Sequence, residues 1–293
     1  MQVGVTLPAM IPGASGPLVL EWARRADAGP FSSLTMGERI AYPSHDIMTT
    51  LSAAAAVTRR IGLVSNILVL PLYSAGIVAK QAATIDVLSG GRLTLGVGIG
   101  GREEDYRAAC ASFARRYQRL EEQVKRIRRI WRGESPEPGV HPLGPRPVQE
   151  DGPDILVGAI FPEAIRRSAR WADGLLGWSF EPNADVVALS YRIAEDAWKA
   201  ARRTDRPRLL VGCYFALGPN AAERMGVYVR HYQDFLGADV AASIAQSITT
   251  TTPAAVRAAI RALADIGTDE LILVPTIAEI EQIDRLAAVV GSV

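Results

Sequence analysis

Residues 61–101 read IGLVSNILVLPLYSAGIVAKQAATIDVLSGGRLTLGVGIGG. Ile61 to Leu70 is an apolar, β-rich run that Pro71 stops. Ala75 to Leu88 then has helical composition and is closed by Ser89-Gly90-Gly91. Arg92 to Val97 is a second strand, and glycines follow it. Strand, helix and strand with short connections make a parallel βα unit, because parallel neighbours need a crossover between them.

The same rhythm extends in both directions. Upstream, Val3 to Leu7 is a strand stopped by Pro8, and Pro17 to Ala28 is a helix ended by Gly29. Ser33 to Met36 is the next strand and Ile47 to Thr58 an Ala-rich helix. Downstream, a long charged helix is expected from Glu103 to Arg132, with an interruption near Ala111–Ser112. Its tail carries Leu120, Val124, Ile127 and Trp131 on one face. From Gly133 to Gly152 prolines and glycines replace the pattern. Strands then recur at Ile155–Val157, Leu175–Trp178, Leu209–Leu217 and Leu271–Val274. Helices are expected over Pro162–Trp171, Asp185–Arg202, Asn220–Phe235, Pro253–Asp265 and Glu279–Val289.

Eight strands, each followed by a helix, predict an α/β fold of the (β/α)8 TIM-barrel type with an irregular insertion at 133–152. A doubly wound open sheet shares the local pattern. The strand count and the place of the long loop favour the barrel. At 293 residues, 48 % of them apolar, the chain is read as one domain over residues 1–293 with a continuous core.

The totals exclude several classes of function. Lys and Arg number 32 against 31 Asp and Glu, a net charge of +1, so neither nucleic acid nor a membrane surface is an expected partner. Cys110 and Cys213 have no metal-ligand spacing and form no disulfide framework. The amino terminus enters a strand at once, without a basic leader and apolar signal core. No apolar run reaches the roughly 18 residues needed to cross a bilayer. A soluble, cytoplasmic protein is expected.

Two glycine-containing strand ends can face a ligand. Gly96-Val-Gly98-Ile-Gly100-Gly101 is not a dinucleotide fingerprint, because that motif belongs to the first βα turn and needs an acid at the next strand end. Here a long helix follows instead. The run is either a tight turn or a backbone bend that lets a flat ring or an anion approach closely. Val157-Gly158-Ala159-Ile160-Phe161-Pro162 is a strand end, a small-residue turn and a helix opened by proline. A helix start of that kind leaves N–H groups free for phosphate. Arg166 and Arg167 lie one turn further in, and Gly177, Trp178 and Ser179 end the adjacent strand.

The stretches 60–71, 79–86 and 88–100 resemble the bacterial luciferase-like monooxygenase superfamily, which includes the coenzyme F420-dependent oxidoreductases. Gly4–Pro8, Ser33–Arg39, Pro147–Gly158 and Ala172-Asp173-Gly174 add matches in the family's order across residues 1–180. The resemblance implies a barrel whose flavin or deazaflavin lies across the carboxyl-terminal mouth. It implies a bulge with a non-prolyl cis peptide around Ser65, Asn66 and Ile67 beneath the ring. It also implies phosphate held by Gly158, Ala159, Ile160 and Phe161 together with Gly177 and Trp178, and Gly98 and Gly100 flanking the ring or its side chain.

Where many members have an acid followed by histidine, this chain has Glu38-Arg39. Glu38, Arg39 and Tyr73 are therefore the candidate catalytic residues, Arg39 for an anionic substrate or the ring's carbonyl edge, with Tyr106 a further proton-donor candidate. His45 is read as a hydrogen-bonded loop residue and His231 as a helix-surface residue. The resemblance implies hydride transfer between coenzyme F420 and a small-molecule substrate. FMN with oxygen, served by a separate reductase, is the competing enzyme reading, and a degenerate barrel acting as a binding subunit is the non-enzyme one. A homo-oligomer, in particular a dimer, is expected from the same resemblance.

Overall fold

The computed structural model describes residues 1–292. Its strands are β1 (Gln2–Thr6), β2 (Ser33–Met36), β3 (Gly62–Ser65), β4 (Leu68–Val69), β5 (Leu93–Gly98), β6 (Ile155–Gly158), β7 (Gly174–Trp178), β8 (Arg208–Phe215) and β9 (Glu270–Pro275). All pairings are parallel, and β3 pairs with both β2 and β5, so the sheet closes on itself. With β3 and β4 as two parts of one stave, this is an eight-stave (β/α)8 barrel.

The barrel interior is layered. At the amino-terminal ends of the strands Glu270 is fully buried. It accepts hydrogen bonds from Ser32 and Ser33, both at 2.6 Å, and pairs with Arg208 at 2.8 Å. Above this plug lie Val64, Leu156, Leu176, Leu210 and Ile272, an apolar layer that seals the middle. The carboxyl ends are left for a cavity.

The third stave is not continuous over 61–70, as composition alone suggests, but carries the bulge that the family resemblance implied around Ser65 to Ile67. Val64 pairs with Thr94 and Leu68 with Val97, four residues advancing against three, so the stave carries one extra residue. The Asn66–Ile67 peptide within it is cis. The glycines of β5 stand opposite this bulge. A Cβ on Gly96 would lie 2.0 Å from the Ser65 carbonyl oxygen, one on Gly98 2.8 Å from Ile67 Cδ1, and one on Gly100 2.8 Å from Val69 Cγ1. Every second residue of the run thus makes room for every second residue of the bulged stave.

The charged segment 103–132 breaks where the interruption near Ala111–Ser112 is expected: it forms α1 (Glu103–Ala108) and α2 (Arg116–Trp131), parted by left-handed turns at Cys110 and Arg115. The two halves dock on different partners. Tyr106 of α1 donates to the Ile99 carbonyl just past β5, while Trp131 of α2 donates to the Ala79 carbonyl at 3.0 Å. The helix expected over 220–235 ends at Tyr232, as Ala221–Tyr232. A further helix, Ala238–Ser247, follows Gly237, which has φ 92°, and was not anticipated.

The insertion is tied down by buried Asp86, which accepts from the Val148 and Gln149 N–H groups and from the Gln149 side chain at 2.6–3.2 Å. No helix is long and apolar enough to cross a membrane among the described residues.

Gly96→Ala is expected to lower the unfolding free energy by about 2–3 kcal/mol, because a backbone carbonyl cannot step aside for the added methyl. Gly101→Ala, whose Cβ would meet nothing within 4 Å, should change it by less than about 0.5 kcal/mol. Urea unfolding of the two variants checks the difference.

Candidate active site

A cavity of about 460 Å³ opens at the carboxyl ends of the strands. Its floor is the bulge, through Asn66 and Ile67, together with Glu38 at the end of the β2 turn. Ile67 packs closely against Gly158, where a Cβ would lie 2.6 Å from Ile67 Cγ2. The bulge, the β5 glycines and the Gly158 turn therefore form one continuous backbone surface.

Of the residues singled out from sequence, Glu38, Asn66, Ile67, Gly100, Gly158, Ala159, Ile160, Phe161, Gly177 and Trp178 line the cavity. Ile160 and Phe161 are 56 % and 65 % exposed at its rim, apolar surface that a bound ring or chain can cover. Four others lie behind the lining. Ser65 is buried and donates to the Gly96 carbonyl at 2.8 Å, and Gly98 is covered by Ile67. Tyr73 donates its hydroxyl to Glu38, and its own carbonyl accepts from Gln123.

Arg39 is also outside the lining, for a physical reason absent from its sequence neighbourhood. Its side chain is 4 % exposed, ion-paired with Glu104, and lies over the rings of Tyr42 at 4.4 Å and Tyr232 at 5.5 Å. Paired and stacked in this way, it is a pillar between the β2 loop and the Ala221–Tyr232 helix, rather than a free cation for an anionic substrate. Tyr106 is likewise committed, to Ile99. His45 bonds the Ala14 carbonyl at 2.8 Å through Nε2, the loop role expected for it.

Glu38 is the titratable group at the centre of the floor. Its Oε2 accepts from the Val69 N–H at 2.6 Å and its Oε1 from the Tyr73 hydroxyl. Burial pushes its carboxyl up to about 7, against the lowering effect of those two donors, and Asp46 and Asp105 add further upward pressure. Asp105 is held apart by its own partners, the Ile40 and Ala41 N–H groups at 2.9 and 2.7 Å. Burial, then the Glu38 charge, also raises the Tyr73 phenol, which therefore stays a donor.

Several lining residues escaped the sequence reading. Arg102 and Arg116 line the cavity at the starts of α1 and α2, and each has a buried Nε with no hydrogen-bond partner. Tyr214, Tyr228, Tyr232 and Phe180 supply a ring-lined side. The only local signals were Arg102 directly after the glycines and Tyr228 and Tyr232 one helical turn apart. Among the described residues no group of three or more His, Cys, Asp or Glu can hold a metal ion.

A closed parallel barrel with a broken third stave and a glycine-walled mouth defines a class of (β/α)8 barrel with a cavity at the carboxyl ends of its strands. The whole chain, residues 1–293, matches the family described as luciferase-like monooxygenase, and the protein belongs to that family of oxidoreductases. It is 31 % identical over 164 residues to an F420-dependent glucose-6-phosphate dehydrogenase of Nakamurella multipartita, covering 53 % of this chain and 48 % of the relative. It is 28 % identical over 167 residues to an FMNH2-dependent dimethylsulfone monooxygenase of Pseudomonas putida, covering 54 % and 45 %. An F420-dependent secondary alcohol dehydrogenase, solved with an F420–acetone adduct, has the same fold at a TM-score of 0.78 and 17 % identity, over 100 % of this chain and 99 % of that one. Family members thus include both F420- and FMN-dependent enzymes.

Folding binds the Glu38 proton more tightly than the unfolded chain does, since its folded value lies above the ordinary 4.5. The stability from this group is therefore complete below pH 4.5 and is lost as the pH rises to about 7. Across that window the unfolding free energy of the wild type is expected to fall relative to Glu38→Gln. Urea denaturation at a series of pH values measures this, and parallel profiles would contradict it.

Proposed function

We propose that the protein is an oxidoreductase that uses coenzyme F420 to move a hydride to or from a small organic substrate. The observation that carries this choice is that three arginines, Arg102, Arg116 and Arg167, line the cavity. Arg102 lies over the Tyr232 and Phe235 rings and Arg116 over the Phe113 ring, and each bonds a single carbonyl, so guanidinium N–H donors remain for an anionic ligand group. Arg167 lines the same cavity from the helix Pro162–Ser168, although it also pairs with Glu121 at 2.9 Å. Three cations on three elements suit the phosphodiester and carboxylates along the F420 tail better than the single phosphate of FMN. The Gly158–Phe161 turn adds the free N–H groups of a helix start. That helix has only seven residues, so the arginines supply most of the field.

The fit extends to the floor. Gly100, Gly101, Gly158 and Gly177 present backbone to the cavity, and the exposed Ile160 and Phe161 offer apolar cover. When bound, a reduced deazaflavin supplies a hydride and its oxidised form accepts one. The chain's own part is placement and proton handling. Glu38, with its carboxyl near 7, can hold or release a proton at Oε1 in the neutral range. Tyr73 and the Val69 N–H orient that carboxyl. Trp178 and Tyr214, edge to face at 4.7 Å, keep water from the inner end of the cavity.

Two similar proteins named for F420 support this reading, and the FMNH2-dependent relative makes FMN the necessary competitor. Titration of the protein with F420, FMN and reduced FMN, followed by absorbance and fluorescence quenching, separates them. Saturable F420 binding is expected, weakened about tenfold by Arg116→Gln, as loss of a charged hydrogen bond entails. Tight binding of either FMN form with none of F420 overturns the proposal.

A further inference from the structure

The lining of the cavity is divided by chemistry. Arg102, Arg116, Glu121 and Arg167 belong to the side built by α1, α2 and the helix Pro162–Ser168. Aromatic rings form the side built by β7, β8 and the helix Ala221–Tyr232. Successive centroids run Phe180 to Trp178 at 5.8 Å, Trp178 to Tyr214 at 4.7 Å, Tyr214 to Tyr228 at 6.0 Å and Tyr228 to Tyr232 at 5.6 Å. This is a contiguous wall rather than scattered core aromatics, since every one of these residues lines the cavity.

The wall abuts the floor. Gly212 of β8 leaves space that a Cβ would deny, because that atom would lie 2.9 Å from Trp178 Cε3 and 3.8 Å from Asn66 Nδ2. The Trp178 ring therefore leans over β8 to the edge of the bulge. A ligand between wall and floor meets aromatic faces and edges on one side, a setting that favours flat, conjugated molecules.

The polar groups of the wall are neutral donors. Burial raises the phenols of Tyr214 and Tyr228, so both keep their protons. The Tyr214 hydroxyl accepts from Gln233 Nε2 at 3.3 Å. The Tyr228 hydroxyl makes no hydrogen bond to the protein among the described residues, although the residue is only 8 % exposed. A donor held in an apolar chamber without a partner is suited to an oxygen acceptor carried by the ligand. The nearest cation, Arg102, already covers the Tyr232 and Phe235 rings and donates to the Tyr232 carbonyl.

We propose that this aromatic chamber is the substrate site, and that it takes a flat, uncharged, conjugated cyclic ketone whose carbonyl oxygen accepts a hydrogen bond from Tyr228. The proposal rests on the oxidoreductase reading only in calling the ligand a substrate; binding itself requires no cofactor.

Calorimetric titration of the full chain with 1-indanone, indane and 1-oxoindane-5-carboxylate tests it, with and without F420. The wild type is expected to bind 1-indanone about fivefold more tightly than indane, the worth of one hydrogen bond, and no less tightly than the carboxylate. Tyr228→Phe should bring 1-indanone to the level of indane while leaving indane unchanged, which also shows that the variant is folded. Trp178→Leu should weaken both. Absence of saturable 1-indanone binding, a ketone preference that survives Tyr228→Phe, tighter binding of the carboxylate, or competitive displacement of 1-indanone by F420 overturns the proposal. A protein that shows the Tyr228-dependent preference yet binds neither F420 nor FMN keeps the chamber and loses the cofactor reading.

Discussion

The mouth of this barrel depends on one strand yielding space to another. Gly96, Gly98 and Gly100 alternate along the end of β5, and each faces a residue of the bulged third stave: Ser65, Ile67 and Val69. A methyl at any of the three would meet an atom within 2.8 Å. With the space open, the bulge lies inward, Ile67 reaches Gly158, and Asn66 and Ile67 become a floor. The glycines that look like a ligand-binding loop thus act first on the protein's own backbone. The effect of Gly96 and Gly98 on a ligand is indirect, because they set where the floor stands, while Gly100 also lines the cavity.

The inward fold of that stave also determines the chemistry of Glu38. The Val69 N–H, just past the bulge, and the Tyr73 hydroxyl, one short turn further, converge on the same carboxylate. A carboxylate with two donors would ordinarily titrate low, but burial beside Asp46 and Asp105 outweighs them. A residue that fastens the bulge is in this way also poised near neutrality at the cavity surface. Arg39, its sequence neighbour, faces away and spends its charge on Glu104 and two tyrosine rings.

The fold was legible because strand–helix alternation is a local signal, repeated often enough to count. Where an element breaks is decided by remote partners. The interruption expected near Ala111–Ser112 falls there because Tyr106 docks on Ile99 and Trp131 on Ala79. Composition alone reads 61–70 as one strand; the bulge implied around Ser65 to Ile67 by the family resemblance is matched by glycines some thirty residues later in β5. In the site, the strand-end turns were readable from their glycines and proline. The aromatic wall was not, because Trp178, Tyr214 and Tyr228 lie on three elements and each alone reads as core.

On the proposed reading, the two sides of the cavity would let a shared barrel discriminate among ligands. Its floor and the Gly158 turn present mostly backbone and small side chains, which any flat ring with a phosphate can approach. Such a surface recognises shape and one anion, and a shared backbone cradle is consistent with a family that contains both F420- and FMN-dependent enzymes. Discrimination must then come from side chains on the helices that enclose the mouth. Here those are Arg102 and Arg116 on one side and the rings beside Tyr228 on the other. On the proposed reading, the first set would act on the charge of a tail and the second on the flatness and polarity of what lies against the ring. Because the two sets stand on different elements, a change in either can alter one choice while the strand ends that hold the floor stay as they are.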